Sequence, residues 1–216
     1  METTHSKNSG EERFDVAKVF RRETWCVGES AFAVLLLLIG TSMLDGFYGS
    51  YYNLNQLVFD AFDAPVSIIG IFFGASYAVN ATAYIAADFF SSRFGKRNTM
   101  LGSMLIEAGL FMILPWFASN PLCLFGLSMV LCFLPEVVYI TSENLIQDAI
   151  ADDLRATILS VASLVRALFS AVFFSIFGHV LGLYPIQIAL GIIGAIAIAI
   201  TAVVSLKMVG IQVSKN

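Results

Sequence analysis

The chain has 216 residues, of which 58% are hydrophobic and only 13% charged, and its mean hydropathy is +0.81. So much apolar surface with so little charge excludes an ordinary soluble domain, and a formal charge of -4 gives no sign of a nucleic-acid partner. A membrane β-barrel would alternate in polarity, whereas the runs here are apolar on all sides, which leaves helices of about 20 residues per crossing.

Residues 1 to 28 are polar and carry both signs. Within them Phe14, Val16, Val19 and Phe20 have the spacing of a short amphipathic helix lying on the membrane. The segment does not read as a signal peptide, because its basic residues are mixed with acids and no small-residue cleavage site follows the apolar run. Residues 1 to 29 are therefore expected to form a cytoplasmic tail, residues 30 to 210 a six-helix membrane domain, and residues 211 to 216 a second tail.

Six spans are expected near 30 to 52, 65 to 90, 98 to 117, 121 to 142, 155 to 179 and 184 to 208. Loop material is expected between them: NLNQLVFDAFDAP, the basic stretch DFFSSRFGKR, ASNP, SENLIQDAIADD and HVLGLYP. Eleven of the 12 basic residues fall in the N-terminal tail, in the second loop, at Arg155 where the fourth loop meets the fifth span, and at Lys207 and Lys215 of the C-terminal end, and the other three loops contain none. By the positive-inside rule both termini are cytoplasmic, in a multi-pass protein of the cell membrane.

Four ionisable residues fall well inside spans: Asp45, Glu107, Glu136 and Arg166. Each costs about 2.5 to 3.5 kcal/mol at mid-membrane, so each asks for a partner or a function. Asp45 shares a helix face with Thr41, Tyr48 and Tyr52, a polar stripe that reads as a cavity lining or as a carboxyl hydrogen-bonded between helices. Glu136 follows Pro135, whose missing N–H frees a carbonyl one turn earlier. Arg166 is roughly 15 Å into its span and Glu136 roughly 10 Å from the cytoplasmic end of the preceding one, depths at which the two could pair across neighbouring helices, as a structural or a functional ion pair. Glu107 stands among Leu105, Ile106, Leu110 and Phe111 and reads as a protonated packing residue or a partner contact.

The other polar groups point to architecture. Asn80 and Thr82 read as interhelical glue, and Thr157, Ser160, Ser163 and Ala167, with Gly191, Ala195 and Ala199, as stripes that let helix backbones approach. Asp152 and Asp153 are placed to cap the fifth span. Cys26, Cys123 and Cys132 read as small hydrophobes, and no Cys/His spacing suggests a metal or other cofactor. Gly74-Ala75-Ser76 and His179 invite comparison with a rhomboid protease. Tyr77 stands where the glycine after the serine is expected, however, and the two residues differ in depth, so no enzyme is expected.

Six spans with both ends inside, the loop SSRFGKR and the stretch ENLIQDAIADDLRATILSVASL resemble one half of a major facilitator superfamily transporter, the C-terminal half most closely, over about residues 14 to 210. The family's loop motif has a glycine where this chain has Asp88 and an aspartate where it has Ser92. Arg93, Gly95, Lys96 and Arg97 match, and Arg155 matches the basic residue that opens the fifth helix. The resemblance implies a small solute moved by alternating access, with a membrane carboxylate as candidate proton carrier. It further implies that helices one and four line the cavity, placing Asp45, Tyr48, Tyr52 and Glu136 toward substrate, while helices two and five meet a second six-helix half, either another copy or a separate chain. A non-transporting subunit or a truncated remnant is the alternative reading.

Overall fold

The computed structural model describes residues 31–117, 119–148, 150 and 155–209. The amphipathic stretch of the N-terminal tail, Cys26, Asp152, Asp153 and Lys215 lie outside the described residues. Among those described, the chain is all-helical, with α1 at Ala31–Ala61, α2 at Val66–Phe94, α3 at Lys96–Phe117, α4 at Pro121–Asp148, α5 at Arg155–Leu183 and α6 at Ile186–Val209.

Helices α2 to α6 are each long and apolar enough to cross a membrane, the best stretch of α6 having a mean hydropathy of 2.5. Their outer faces carry large apolar side chains, such as Ile71, Tyr84 and Ile85 on α2 and Leu164, Leu168 and Val172 on α5. Apolar surface of that extent suits lipid rather than water. The chain is thus a multi-pass membrane protein. α1 has 31 residues and combines an apolar first part with Thr41, Ser42, Asp45, Ser50, Asn53 and Asn55.

Several expected loops are helix. α1 runs through NLNQLVFDA because Tyr51, Leu54, Asn55, Val58 and Phe59 recur at helical spacing and are all buried, while Asn53, Gln56 and Asp60 face outward. Its polar residues decorate one face instead of ending the helix. The basic loop likewise shrinks to one residue, Gly95, at φ 83° and ψ 144°, a backbone region that essentially only glycine occupies. Arg93 therefore lies in the last turn of α2, and Lys96 and Arg97 in the first turn of α3. At the start of α4, the Asn120 side-chain oxygen accepts hydrogen bonds from the N–H groups of Leu122 and Cys123 at 2.9 and 3.3 Å, with Pro121 at the first helical position.

The core is built around α1, which packs on α4, α5 and α6, while α3 sits between α4 and α6 and α2 covers α4 and α3. At its centre Phe47 meets Tyr48, Phe111, Phe173 and Phe177 edge-on, with ring centroids 4.8 to 5.7 Å apart. The closest helix approach is at Gly46: a Cβ there would lie 2.7 Å from both the Phe169 Cβ and the Ser170 backbone nitrogen. Ser50 seals the same crossing, its hydroxyl 2.6 Å from Gly46 O and 2.8 Å from Ser170 O.

Within the bundle, the helices approach one another elsewhere than at the expected small-residue stripes. Ser160, Ser163, Ala167, Ala195 and Ala199 face outward, and a Cβ on Gly191 would meet open space. Close packing falls instead to Gly46 and to Gly194, where a Cβ would lie 3.1 Å from both Met112 Sδ and Phe111 O.

Candidate functional site

The α1–α5 crossing decides where the charges meet. Gly46 follows Asp45 directly, and Ser170 is one turn beyond Arg166, so closing the two backbones at Gly46 brings Arg166 onto Asp45, Nε to Oδ2 at 2.5 Å. The guanidinium also reaches α4. It lies over the Tyr139 ring, 4.2 Å from the centroid, and its Nη2 is 3.6 Å from Glu143 Oε1. Tyr139 donates its hydroxyl hydrogen to Glu143 at 2.5 Å, an i, i+4 contact that aligns both groups with the arginine.

This corrects the expected Arg166–Glu136 pair. Glu136 is one turn before Tyr139 on the same helix, half-buried and within the electrostatic field of Asp45 and Arg166, but outside ion-pair distance. The helix also continues unbroken through Pro135. Glu143, which the sequence reading assigned to a loop, is the second carboxylate of the cluster, because α4 extends to Asp148. Its spacing of seven from Glu136, with Tyr139 between, is the signal that points to it.

The cluster is neither sealed nor fully open: the side chains of Asp45, Arg166 and Glu143 are 25%, 23% and 26% exposed. One guanidinium stands between two carboxylates and an aromatic face. Its fork suits an anionic group, the two carboxylates suit a cation or proton, and a polar solute arriving there competes for the same partners.

The polar stripe of α1 does not stay together. Thr41 is buried and its hydroxyl is held by Leu37 O at 2.8 Å. Tyr48 turns into the core, against Phe111 and Glu107. Tyr52 faces α2, where its hydroxyl is 3.0 Å from the Ser76 hydroxyl. Ser76 is committed there and to Phe73 O, while exposed His179 sits near the end of α5, a helix that shares no packed face with α2. Asn80, with its amide nitrogen turned toward α4, donates to Cys132 O and to Ser76 O at 3.2 Å, whereas Thr82 bonds only its own helix at Val79 O.

At the other end of these helices the basic motif ties elements together. Lys96 pairs with Asp148 at 2.5 Å, joining the start of α3 to the end of α4. Arg155 Nη2 donates to Gln147 O at 3.3 Å, bringing a cation to the last turn of α4, where unpaired carbonyls and the helix dipole favour it. Arg93 is exposed and lies 5.9 Å over the Phe94 ring.

Glu107 departs most from the reading of its neighbours. Leu105 and Ile106 face outward, but Glu107 is fully buried and lies near Tyr48 and Cys132, so its company is polar after all. Thr99, Ser103 and Glu107 recur every fourth residue on the buried face of α3, a polar stripe visible in the sequence. Among the described residues no group of His, Cys, Asp and Glu side chains is arranged to hold a metal ion. Searches against protein-family models and against curated proteins find no match for the chain.

Proposed function

We propose that the chain is one six-helix half of a secondary transporter of the major facilitator type, moving a small polar or charged solute by alternating access, with Asp45 as its coupling carboxylate. In this reading α1 makes the sixth crossing, both termini are cytoplasmic, and the membrane is the cell membrane. The observation that carries it is the partly exposed cluster of Asp45, Arg166 and Glu143 on α1, α5 and α4, in a bundle whose outer faces carry large apolar side chains. Facing lipid, such charges would cost several kcal/mol. Facing a water-filled cavity shared with a second half, they form a solute site.

Two further observations support the same reading. The most apolar stretches of α2 and α5 are the least buried, 17% each against 33% to 44% for α3, α4 and α6, as suits the helices that would meet a second half. Lys96 and Arg155, from the basic motif and the start of the fifth helix, both fasten the end of α4.

The test is electrical. Proteoliposomes containing the chain, together with any membrane protein that copurifies with it, are exposed to panels of amino acids, sugars, organic cations and organic anions under a pH gradient, and solute-dependent currents are recorded. A current with at least one class, lost in Asp45→Asn at unchanged protein content, is the expected result. If no class gives a current, or if the Asp45→Asn current keeps its pH dependence, the coupling role is wrong.

A further inference from the structure

Deep in the bundle, one turn along α1 from Asp45, lies a second polar cluster that the charged site does not use. Glu107 of α3 is 0% exposed, Tyr48 of α1 3% and Thr201 of α6 2%. The Tyr48 hydroxyl lies against both Glu107 and Thr201. Even so, both Glu107 carboxyl oxygens, Tyr48 Oη and Thr201 Oγ1 lack a well-formed hydrogen bond. Aromatic packing closes the cluster, since Phe111, one turn after Glu107, stacks on Tyr48 at 5.7 Å.

Four unsatisfied oxygens in one closed place are costly. A buried polar group without a partner loses about 1 to 3 kcal/mol and an unpaired buried charge more. Yet no described basic side chain serves Glu107. Arg166, the arginine within the span of α5, is engaged by Asp45 and Glu143. The titratable groups around the cluster are Asp45 and Tyr51 on α1 and Cys132 on α4; α6 contributes hydroxyls. None brings a positive charge.

We infer that Glu107, Tyr48 and Thr201 form an occluded site for one exchangeable monovalent cation, a proton or a sodium ion, shared between α1, α3 and α6. A single carboxylate balances a single positive charge, and the two hydroxyl oxygens supply neutral ligands of the kind hard cations take. A divalent ion would leave an excess charge in an apolar core. Asp45 and Glu107 lie within electrostatic range of each other, so the occupancy of one is sensed by the other. The inference stands apart from the transport reading, needing only the closed cluster.

The experiment is infrared difference spectroscopy of the purified chain in lipid nanodiscs, following the protonated-carboxyl stretch from acid to alkaline buffer, once with choline and once with sodium as the sole monovalent salt. The part of the band owed to Glu107 is identified by its loss in Glu107→Gln and its retention in Glu136→Gln. Loss of that part with rising pH, equally in both salts, assigns a proton site. Its loss at fixed pH on replacing choline with sodium assigns a sodium site. A Glu107 band unmoved by either change, or no Glu107-dependent band in acid with choline, overturns the inference. If Glu107→Gln does not fold, Glu107→Asp serves in its place, shifting the band instead of removing it.

Discussion

Arg166 is the residue on which the charged cluster turns, because three groups from two other helices converge on it: Asp45, Glu143 and the Tyr139 ring. A fully buried pair deprived of one member costs about 3 to 5 kcal/mol. Here roughly a quarter of each side chain remains exposed, so Arg166→Gln is expected to cost on the order of 2 kcal/mol, within the usual range for losing a named interaction. Asp45→Asn should cost less, since Glu143 still serves the guanidinium. The double variant should recover part of the loss, a coupling of about 0.5 to 3 kcal/mol. Unfolding of the four proteins in mild detergent measures this cycle. Strict additivity would mean that the ion pair contributes nothing and that Arg166 is held by Tyr139 and Glu143 alone.

Asp45 and Arg166 were visible in the sequence as costly charges in apolar runs, whereas their pairing was not. Depth along a helix follows from counting residues, but rotation about the helix axis follows from packing, and here packing is set by Gly46. The small stripe on span five drew attention to Ser163 and Ala167, which are exposed, while the residues that touch α1 are Ala162, Phe169 and Ser170. Glu107 was hidden for a related reason. Its sequence neighbours Leu105 and Ile106 face outward, and its polar neighbours Tyr48 and Cys132 come from α1 and α4.

At the scale of the element, the apolar runs located five membrane-crossing helices to within a few residues at most ends, because chain length and hydropathy together decide that question. The ends differ where polar residues in the sequence suggest loop. The stretch after Tyr52 and the one after Ser142 both continue as helix, each keeping apolar residues at helical spacing on its inner face. Two glycines separate packing from exposure. Gly46→Ala pushes a methyl group into the α5 backbone, where no side chain can yield, and should cost about 1 to 3 kcal/mol while loosening the Asp45–Arg166 contact. Gly74→Ala meets nothing within 4 Å and adds helix propensity of about 0.8 to 1 kcal/mol, so the single chain should be as stable or more so. Thermal unfolding of both variants in detergent checks the contrast. Equal effects would mean that α1 and α5 do not cross at Gly46.

For the whole molecule the governing fact is asymmetry: α2 and α5 leave most of their apolar surface outside the core, and the partly exposed charged cluster joins α5 to α1 and α4. On the proposed reading that uncovered side belongs to a second half, related by an axis along the membrane normal, so that both enter the membrane in the same sense. In a twofold pair α2 of each copy meets α5 of the other, a self-complementary contact made twice. Gly70, Gly74 and Ala78 on α2, and Ser163, Ala167 and Ala171 on α5, are exposed and small enough for close approach. The most direct measurement is cysteine crosslinking in native membranes between separately tagged copies, one carrying Gly74→Cys and the other Ala171→Cys. The account predicts a crosslinked product bearing both tags. Absence of any crosslinked pair, with a monomer mass in mild detergent and no copurifying membrane chain, would contradict it.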